Sequence, residues 1–433
     1  MTVNNIYNNK AAIDKETIQV KKWTLIGFTI LVFFYFRPFA SFTSNYVWLQ
    51  IFLSIFWIPT LFHRFDAGRR PWHLVLKGWP VALFCGVSIL SAAWAIDVYQ
   101  TMRSLLPLIA VYGLSLALWA RLDEQDILKI TYNALTITLF ISIAVALVIP
   151  RIGVHQSSDA IQWVHAGKWR GVFAHKNAFG QLAAIHFIMT LSMREMFALK
   201  RIYYLLMIAS ASLGLLMAGS ASALVAVAMG LAVAAGMRLR RPARLAFIGG
   251  AAIVAISAAI AGFDPLQMVA STLGRDVTLT GRTEAWNFVL EAVKAYWPLG
   301  VGFGNQSLLT DSFTAHFSAA FMDAHSGYLD AALGLGIFGF VAVAAILWRI
   351  IWLAVQGHLQ TKERVAMMSV LVAWCIFAIT EVAPFRPESV SFVCATIFLT
   401  GIFTRARTKP VHPITATGPE FRSDYSLKAG EKT

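Results

Sequence analysis

The sequence predicts an all-α fold, a polytopic membrane bundle of about twelve transmembrane helices with one long periplasmic loop containing a surface helix. Three observations predict it. Apolar residues make up 58% of the 433 and charged ones 13%, too few charges to solvate the surface of a soluble protein of this size. Apolar runs of roughly 17–25 residues recur from Trp23 onward, each long enough to cross about 30 Å of hydrocarbon as a helix. Basic residues alternate with these runs in a way that fixes an orientation.

In order, the runs cover 23–41, 45–62, 78–97, 103–120, 130–149, 177–197, 202–219, 221–237, 245–262, 327–355, 365–383 and 388–404. The polar segment 1–22 precedes the first without a small-residue cleavage pattern after it, which reads as a signal anchor. With that segment cytoplasmic, 26 of the 36 Lys and Arg fall on the cytoplasmic side and 10 outside. Lys21/Lys22, Arg69/Arg70 and Arg238/Arg240/Arg241/Arg244 are the strongest anchors. The net charge of +14 is therefore mainly topological and argues for no nucleic-acid partner. Segments 1–22 and 405–433 are expected in the cytoplasm, the latter a polar, disordered tail, with 23–404 as the bundle.

Cys85, Cys375 and Cys394 lie inside spans, where a thiol acts as a small apolar group, and neither a disulfide framework nor a metal-ligand spacing is present. The closest carboxylates, Asp123-Glu124-Asp126, fall on the cytoplasmic face and read as a solvated loop, so neither a metal nor a cofactor is expected. The stretch 202–262 is dense in Ala, Gly and Ser, which lets helix backbones approach closely in lipid. No long internal repeat supports an inverted-repeat carrier.

Two outer loops stand out, from Pro150 to Lys176 and over 263–326, the second longer than bundle connections usually are. Inside it, Trp286, Val289, Leu290, Val293 and Trp297 recur at helical steps opposite Glu284, Asn287, Glu291 and Lys294. That pattern predicts a helix on the membrane surface with its tryptophans at headgroup depth, ended by Pro298. The run Gly300-Val301-Gly302-Phe303-Gly304-Asn305 superficially resembles a nucleotide loop, but no strand precedes it and no Lys-Ser/Thr helix follows, so it reads as a tight turn.

Three elements could carry chemistry. Trp169-Arg170-Gly171-Val172-Phe173-Ala174-His175-Lys176-Asn177 runs straight into a span, crowding Arg170, His175 and Lys176 at the outer mouth. It is either an interfacial anchor or a site for an anion on a side where positive charge is scarce. Thr280-Gly281-Arg282-Thr283 opens the surface helix, where a guanidinium beside free N–H groups suits phosphate oxygens, or merely snorkels to lipid headgroups. Asp323-Ala324-His325-Ser326-Gly327-Tyr328-Leu329-Asp330 returns the chain to the bundle. The His325 imidazole there can take a proton near pH 7, with Asp323 or Asp330 to orient it, or it is simply a hydrogen-bonded structural residue. His155, His165 and His316 read as structural, and His186, inside a span, as satisfying a buried partner.

Together these elements resemble the O-antigen ligase/polymerase superfamily of bacterial envelope enzymes. The resemblance spans Trp169 to Gly339 by motif and the bundle by topology. Its most specific part is His325-Ser326, nine residues, Gly336, two residues, then Gly339. Arg170-Gly171-Val172-Phe173 with Lys176-Asn177, and Gly281-Arg282-Thr283 with Trp286, are similar to the arginine-containing stretches of the exopolysaccharide-production branch. The resemblance implies a metal-independent glycosyltransferase of the bacterial inner membrane. It would move an undecaprenyl-diphosphate-linked glycan to an acceptor hydroxyl on a glycan or on lipid A-core, among membrane lipids. Chain-length regulator or export proteins are the further partners it implies. In that reaction Arg170, Lys176 and Arg282 would stabilise the departing diphosphate and His325 would act as base. Polymerisation of repeat units is favoured over ligation to lipid A-core. A flippase or exporter of the same glycan, the reading from another class, would need a charged path through the bundle, and intramembrane ionisable residues are few.

Overall fold

The computed structural model describes residues 21–402 apart from 40–45, 62–69, 160–161, 195, 197, 241, 244–245, 247–281, 310–323 and 357–360. The expected cytoplasmic lead up to residue 20, the tail from 403, the run 245–262, Asp323 and His316 lie outside the described residues. Helices occupy the other eleven apolar runs. They are α1 (21–35), α2 (Tyr46–Trp57), α3 (Pro71–Lys77), α4 (Trp79–Leu90), α5 (Val98–Arg121), α6 (Glu124–Val148), the single turn α7 (Pro150–Gly153), α8 (Lys176–Met193), α9 (Arg201–Ala218) and α10 (Ala221–Met237). After the undescribed stretch come α11 (Arg282–Ala295), α12 (Gly327–Gln356), α13 (Lys362–Thr380) and α14 (Val390–Gly401). Among the described residues the only extended pairing is one isolated bridge between Val154 and Trp169.

Five of these helices, α5, α6, α9, α12 and α13, are long and apolar enough to cross a membrane on their own, and the bent pair α3–α4 makes up to six. Shorter apolar helices at Trp48–Leu61, Ala221–Met237 and Val390–Gly401 pack beside them. Large apolar side chains such as Ile202, Leu216, Phe340 and Ile351 stay exposed, as lipid-facing groups do. This is a multi-pass membrane protein.

Helix α8 is the hub, in contact with α6, α9, α10, α13 and α14 and buried on nearly every side. Apolar character all round suits a helix with no solvent-facing stripe. Its neighbours come close because small residues face one another: a Cβ on Gly214 would sit 3.0 Å from the Ala183 Cβ, and one on Gly230 3.0 Å from the Ser369 carbonyl. The expected role of the small-residue stretch in packing therefore holds where it is described. Inside the bundle His186 finds buried partners: it reaches Thr136 Oγ1 through Nε2 (3.0 Å) and stacks on Tyr132, as its position in a span suggested.

The two ends of the bundle differ. At the end opposite the candidate site, the Arg364 guanidinium grips Glu124, with Nη2–Oε1 at 2.6 Å, joining the starts of α6 and α13. Lys21 reaches Asp126 at 2.7 Å, and Asp123 caps α6 by accepting from the Asp126 N–H. The carboxylate group expected as a solvated loop is thus the capped first turn of a helix, because a side-chain acceptor there satisfies an orphan N–H.

At the other end α12 is broken. Gly336 adopts φ 59° and ψ −141°, a region essentially restricted to glycine. The break frees the Leu333 and Gly334 carbonyls, which accept from Val301 N (2.9 Å) and Gly302 N (2.8 Å), while Ile337 N donates to the Pro298 carbonyl (2.8 Å). The glycine run 300–304 is therefore a turn, as expected. Its glycines have positive φ and wedge between the α12 break and the α4–α5 connection, with Ile96 N donating to Val301 O and Phe303 N to Ser91 Oγ. Helix α11 packs on α12 through Phe288, Val289, Ala292 and Val293, against Leu333 and Val382. The expected apolar face thus splits: Val289 and Val293 dock on the bundle, while Leu290 and Trp297 stay exposed.

Candidate active site

The loop between α6 and α8 folds back on itself. His155 N donates to Lys168 O, Gly167 N to His155 O, and both Arg170 N and Gly171 N to Gly153 O. Gly171, at φ 59°, lets this turn press against Ser142 of α6. The Arg170 guanidinium ties the loop from within, its Nε donating to Ile152 O at 2.8 Å and its Nη1 to Asp159 Oδ2 at 3.2 Å. Part of the expected anion ligand is thus engaged in holding the loop together.

Two imidazoles cap α8. The first N–H groups of a helix have no intrahelical acceptor. Here Lys176 N donates to His155 Nε2 (3.1 Å) and Asn177 N to His175 Nδ1 (3.1 Å). An imidazole nitrogen that accepts an N–H carries no proton, so His155 is protonated on Nδ1, which donates to Asp159 Oδ2 at 3.3 Å. By the same logic His175 carries its proton on Nε2. Rings 155, 165 and 175 meet edge to face with centroids 5.1–5.7 Å apart. Burial, reinforced by the electrostatic influence of His165, Lys176, His155 and His325 nearby, pushes the His175 imidazole down to about 2. Burial lowers His155 as well, against the raising effect of the Asp159 hydrogen bond. Burial would raise the Asp159 carboxyl, but the Gln156 N–H, Arg170 and His155 together bring it below its usual value. His155, expected as structural, is a structural cap at the centre of this cluster.

Lys176 is buried, its Nζ within 3.4 Å of both the Gly219 carbonyl and Asn177 Oδ1. Lys168 approaches the same Gly219. Asn177 turns its amide nitrogen to Glu381 Oε1 at 2.6 Å, and Glu381 caps the end of α13 nearly buried.

His325 faces this group from the start of α12. It is half-buried in the left-handed region at φ 43°, an uncommon conformation for a residue with a Cβ, and it acts electrostatically on His175. Ser326 Oγ lies 3.5 Å from Ala378 O of α13. A Cβ on Gly327 would meet Phe385 and sit 3.2 Å from Glu381 O, so only glycine lets α12 begin this close to the end of α13. Asp330 is buried, its Oδ1 3.7 Å from Arg386 Nη2 and its Oδ2 3.4 Å from Gln306 Nε2. Arg282 opens α11, its side chain outside the described residues.

The fold therefore brings Arg170, Lys176 and His325 to one end of the bundle and adds Glu381, Arg386 and Arg37, which sequence reasoning passed over. Arg37 pairs with Glu388 at 3.7 Å, and neighbouring Phe39 N donates to Val172 O inside the RGVFAHKN stretch. Their signal was present: ionisable residues at the junction of two apolar runs, in Glu381-Val382-Ala383-Pro384-Phe385-Arg386, are expensive in a membrane protein unless used.

No curated protein matches the chain. A family model described as O-antigen ligase matches residues 205–344, which include α9, α10, the long loop, α11 and α12 through its break. Arg282, His325, Gly336 and Gly339 fall within the match, and Arg170, Lys176 and Glu381 outside it. This match, taken with the ordered motifs that the fold draws to one end of the helices, supports the O-antigen ligase/polymerase superfamily through about the third of the chain that it covers.

Proposed function

We propose that the protein polymerises exopolysaccharide or O-antigen repeat units by transferring an undecaprenyl-diphosphate-linked glycan to an acceptor hydroxyl, on the periplasmic side of the inner membrane. The observation that carries this reading is the convergence of the His325 turn with the His175-Lys176-Asn177 turn and Arg170, from motifs about 150 residues apart, at one end of the bundle, where Ser326 and Gly327 meet the end of α13 and Asn177 meets Glu381. A histidine held in the left-handed region is a strained arrangement that a fold retains where the geometry serves a purpose.

In the step itself the acceptor oxygen attacks the anomeric carbon of the lipid-linked sugar. The carbon–oxygen bond to the diphosphate breaks, its electron pair leaves with the diphosphate, and the hydroxyl proton passes to His325. Arg282 at the start of α11, Arg170 and Lys176 stabilise the departing charge, without a metal. Losing one such donor typically costs about 3–4 kcal/mol of transition-state stabilisation. Asp330, placed against Arg386 and Gln306, supports the His325 turn, while the same role expected of Asp323 lies outside the described residues.

The test is transfer in vitro. Purified protein given a diphosphate-lipid repeat unit alone should lengthen it, and His325→Ala should abolish lengthening while the protein still inserts. Full transfer by His325→Ala overturns the base assignment. The description of the matched family favours a second reading, ligation to lipid A-core. On that reading the repeat unit stays unchanged until lipid A-core is added.

A further inference from the structure

We propose that Glu381 is a positioning residue for glycan transfer, acting through Asn177 to hold the His175-Lys176-Asn177 turn against the start of α12. The inference rests on the proposed transfer reaction and goes beyond it, since neither the motifs nor the family match includes Glu381.

The geometry is a bridged ion pair. The Asn177 amide oxygen faces the Lys176 ammonium (3.4 Å) and its nitrogen faces the Glu381 carboxylate (2.6 Å). A primary amide has one accepting and one donating end, so cation and anion fix its orientation. Lys176, Asn177 and Glu381 are all buried, 5–8% exposed, and a hydrogen bond to a buried carboxylate is stronger than one between neutral groups. Glu381 is also the residue whose carbonyl Gly327 approaches, two residues after His325, while Ser326 lies against Ala378 one turn earlier on α13. One carboxylate thus sits at the meeting point of α8, which begins at Lys176, and α12, which begins two residues after the proposed base.

Positioning by hydrogen bond and direct action by charge make different predictions. A glutamine at 381 can still accept from the Asn177 amide but carries no charge. The experiment compares Glu381→Gln, Glu381→Ala, Asn177→Asp and the double variant Asn177→Asp/Glu381→Gln in nanodiscs, reading kcat and KM for the diphosphate-lipid repeat unit. It also follows hydrogen exchange over 172–180 and 324–330. Glu381→Gln should keep kcat within tenfold of wild type. Glu381→Ala, and Asn177→Asp, which sets two carboxylates face to face, should lower it at least a hundredfold and speed exchange in both segments. The double variant, which restores an amide–carboxylate pair with the roles exchanged, should recover kcat to within tenfold.

The proposal is overturned if Glu381→Ala transfers at the wild-type rate, if Glu381→Gln is as inactive as Glu381→Ala, or if the double variant is no better than Asn177→Asp. Wild-type protein that transfers nothing would refute the reaction and not the positioning. In that event unchanged exchange in Glu381→Ala would refute the positioning separately.

Discussion

Replacing Gly336 by alanine should detach the long loop from the bundle. Two costs arise at that position. An alanine held at φ 59° and ψ −141° is strained by roughly 1–3 kcal/mol. Its Cβ would also overlap the Pro298 carbonyl oxygen and lie 2.7 Å from the Leu299 carbonyl carbon, both backbone atoms that cannot swing aside. Relief requires the 298–302 segment to move away, which breaks Ile337 N to Pro298 O, Val301 N to Leu333 O and Gly302 N to Gly334 O. At about 1 kcal/mol each, those bonds bring the total to roughly 4–6 kcal/mol if the segment lets go and strain is retained. Gly86→Ala in α4 is the matched control, because a Cβ there meets nothing within 4 Å and alanine favours the helix by about 1 kcal/mol. Thermal unfolding of both variants in the same nanodiscs, with proteolysis of the long loop as local readout, should show Gly336→Ala markedly less stable and its loop cut faster. Gly86→Ala should equal or exceed wild type. Equal midpoints and equal cleavage for the two variants would refute the account of the α12 break.

Acid should weaken the α8 cap. The folded His175 sits near 2, well below about 6.5 for an unfolded histidine, so below that pH the unfolded chain binds a proton that the folded chain refuses. Stability from this group is complete above about pH 6.5 and falls by roughly 1.4 kcal/mol per pH unit below it. His175→Gln should flatten that slope in a pH series of unfolding midpoints, and an unchanged slope would refute the assignment. At the opposite end, Arg364→Ala leaves Glu124 in a largely buried setting and should cost about 3–5 kcal/mol of stability, with transfer preserved in the molecules that remain folded. Asp159→Asn removes the ion-pair partner of Arg170 but not its charge. If Arg170 acts on the diphosphate, Arg170→Ala lowers transfer at least tenfold more than Asp159→Asn, and equal losses would make it a loop staple only.

What the sequence made legible follows from which forces act locally. Apolar run length and basic flanks placed eleven helices because a bilayer forces every spanning backbone to satisfy itself. His325, Lys176 and Arg170 were visible as polar residues out of place among apolar ones. The break in α12 was not, since glycines are common in membrane helices and only the three hydrogen bonds from the 298–302 segment give Gly336 its meaning. The capping roles of His155 and His175 were hidden as well, because a loop folding back over α8 decides which imidazole meets which N–H. Glu381 depends on a contact 204 residues away along the chain, beyond any periodicity.

These hidden contacts share one consequence. If the cation cluster binds a diphosphate as proposed, it must repel itself before the substrate arrives, and Lys176, Arg170 and Arg386 are each found beside an acceptor supplied by the fold: Asn177 leading to Glu381, Asp159, and Asp330. Each partner lowers the cost of assembling positive charge there, and each would compete with the proposed diphosphate for the same donors. The pairings differ in how readily they can yield. Asp159 is only half-buried, so water can take it over when a phosphate draws the Arg170 guanidinium away, whereas Asp330, the partner of the half-buried Arg386, is itself buried. Glu381 and Asn177 are buried, so their bond is shielded from competing water. In the proposed reaction Arg170 therefore has the freedom to follow the leaving group, while the buried Lys176-Asn177-Glu381 bridge holds the frame in which it moves.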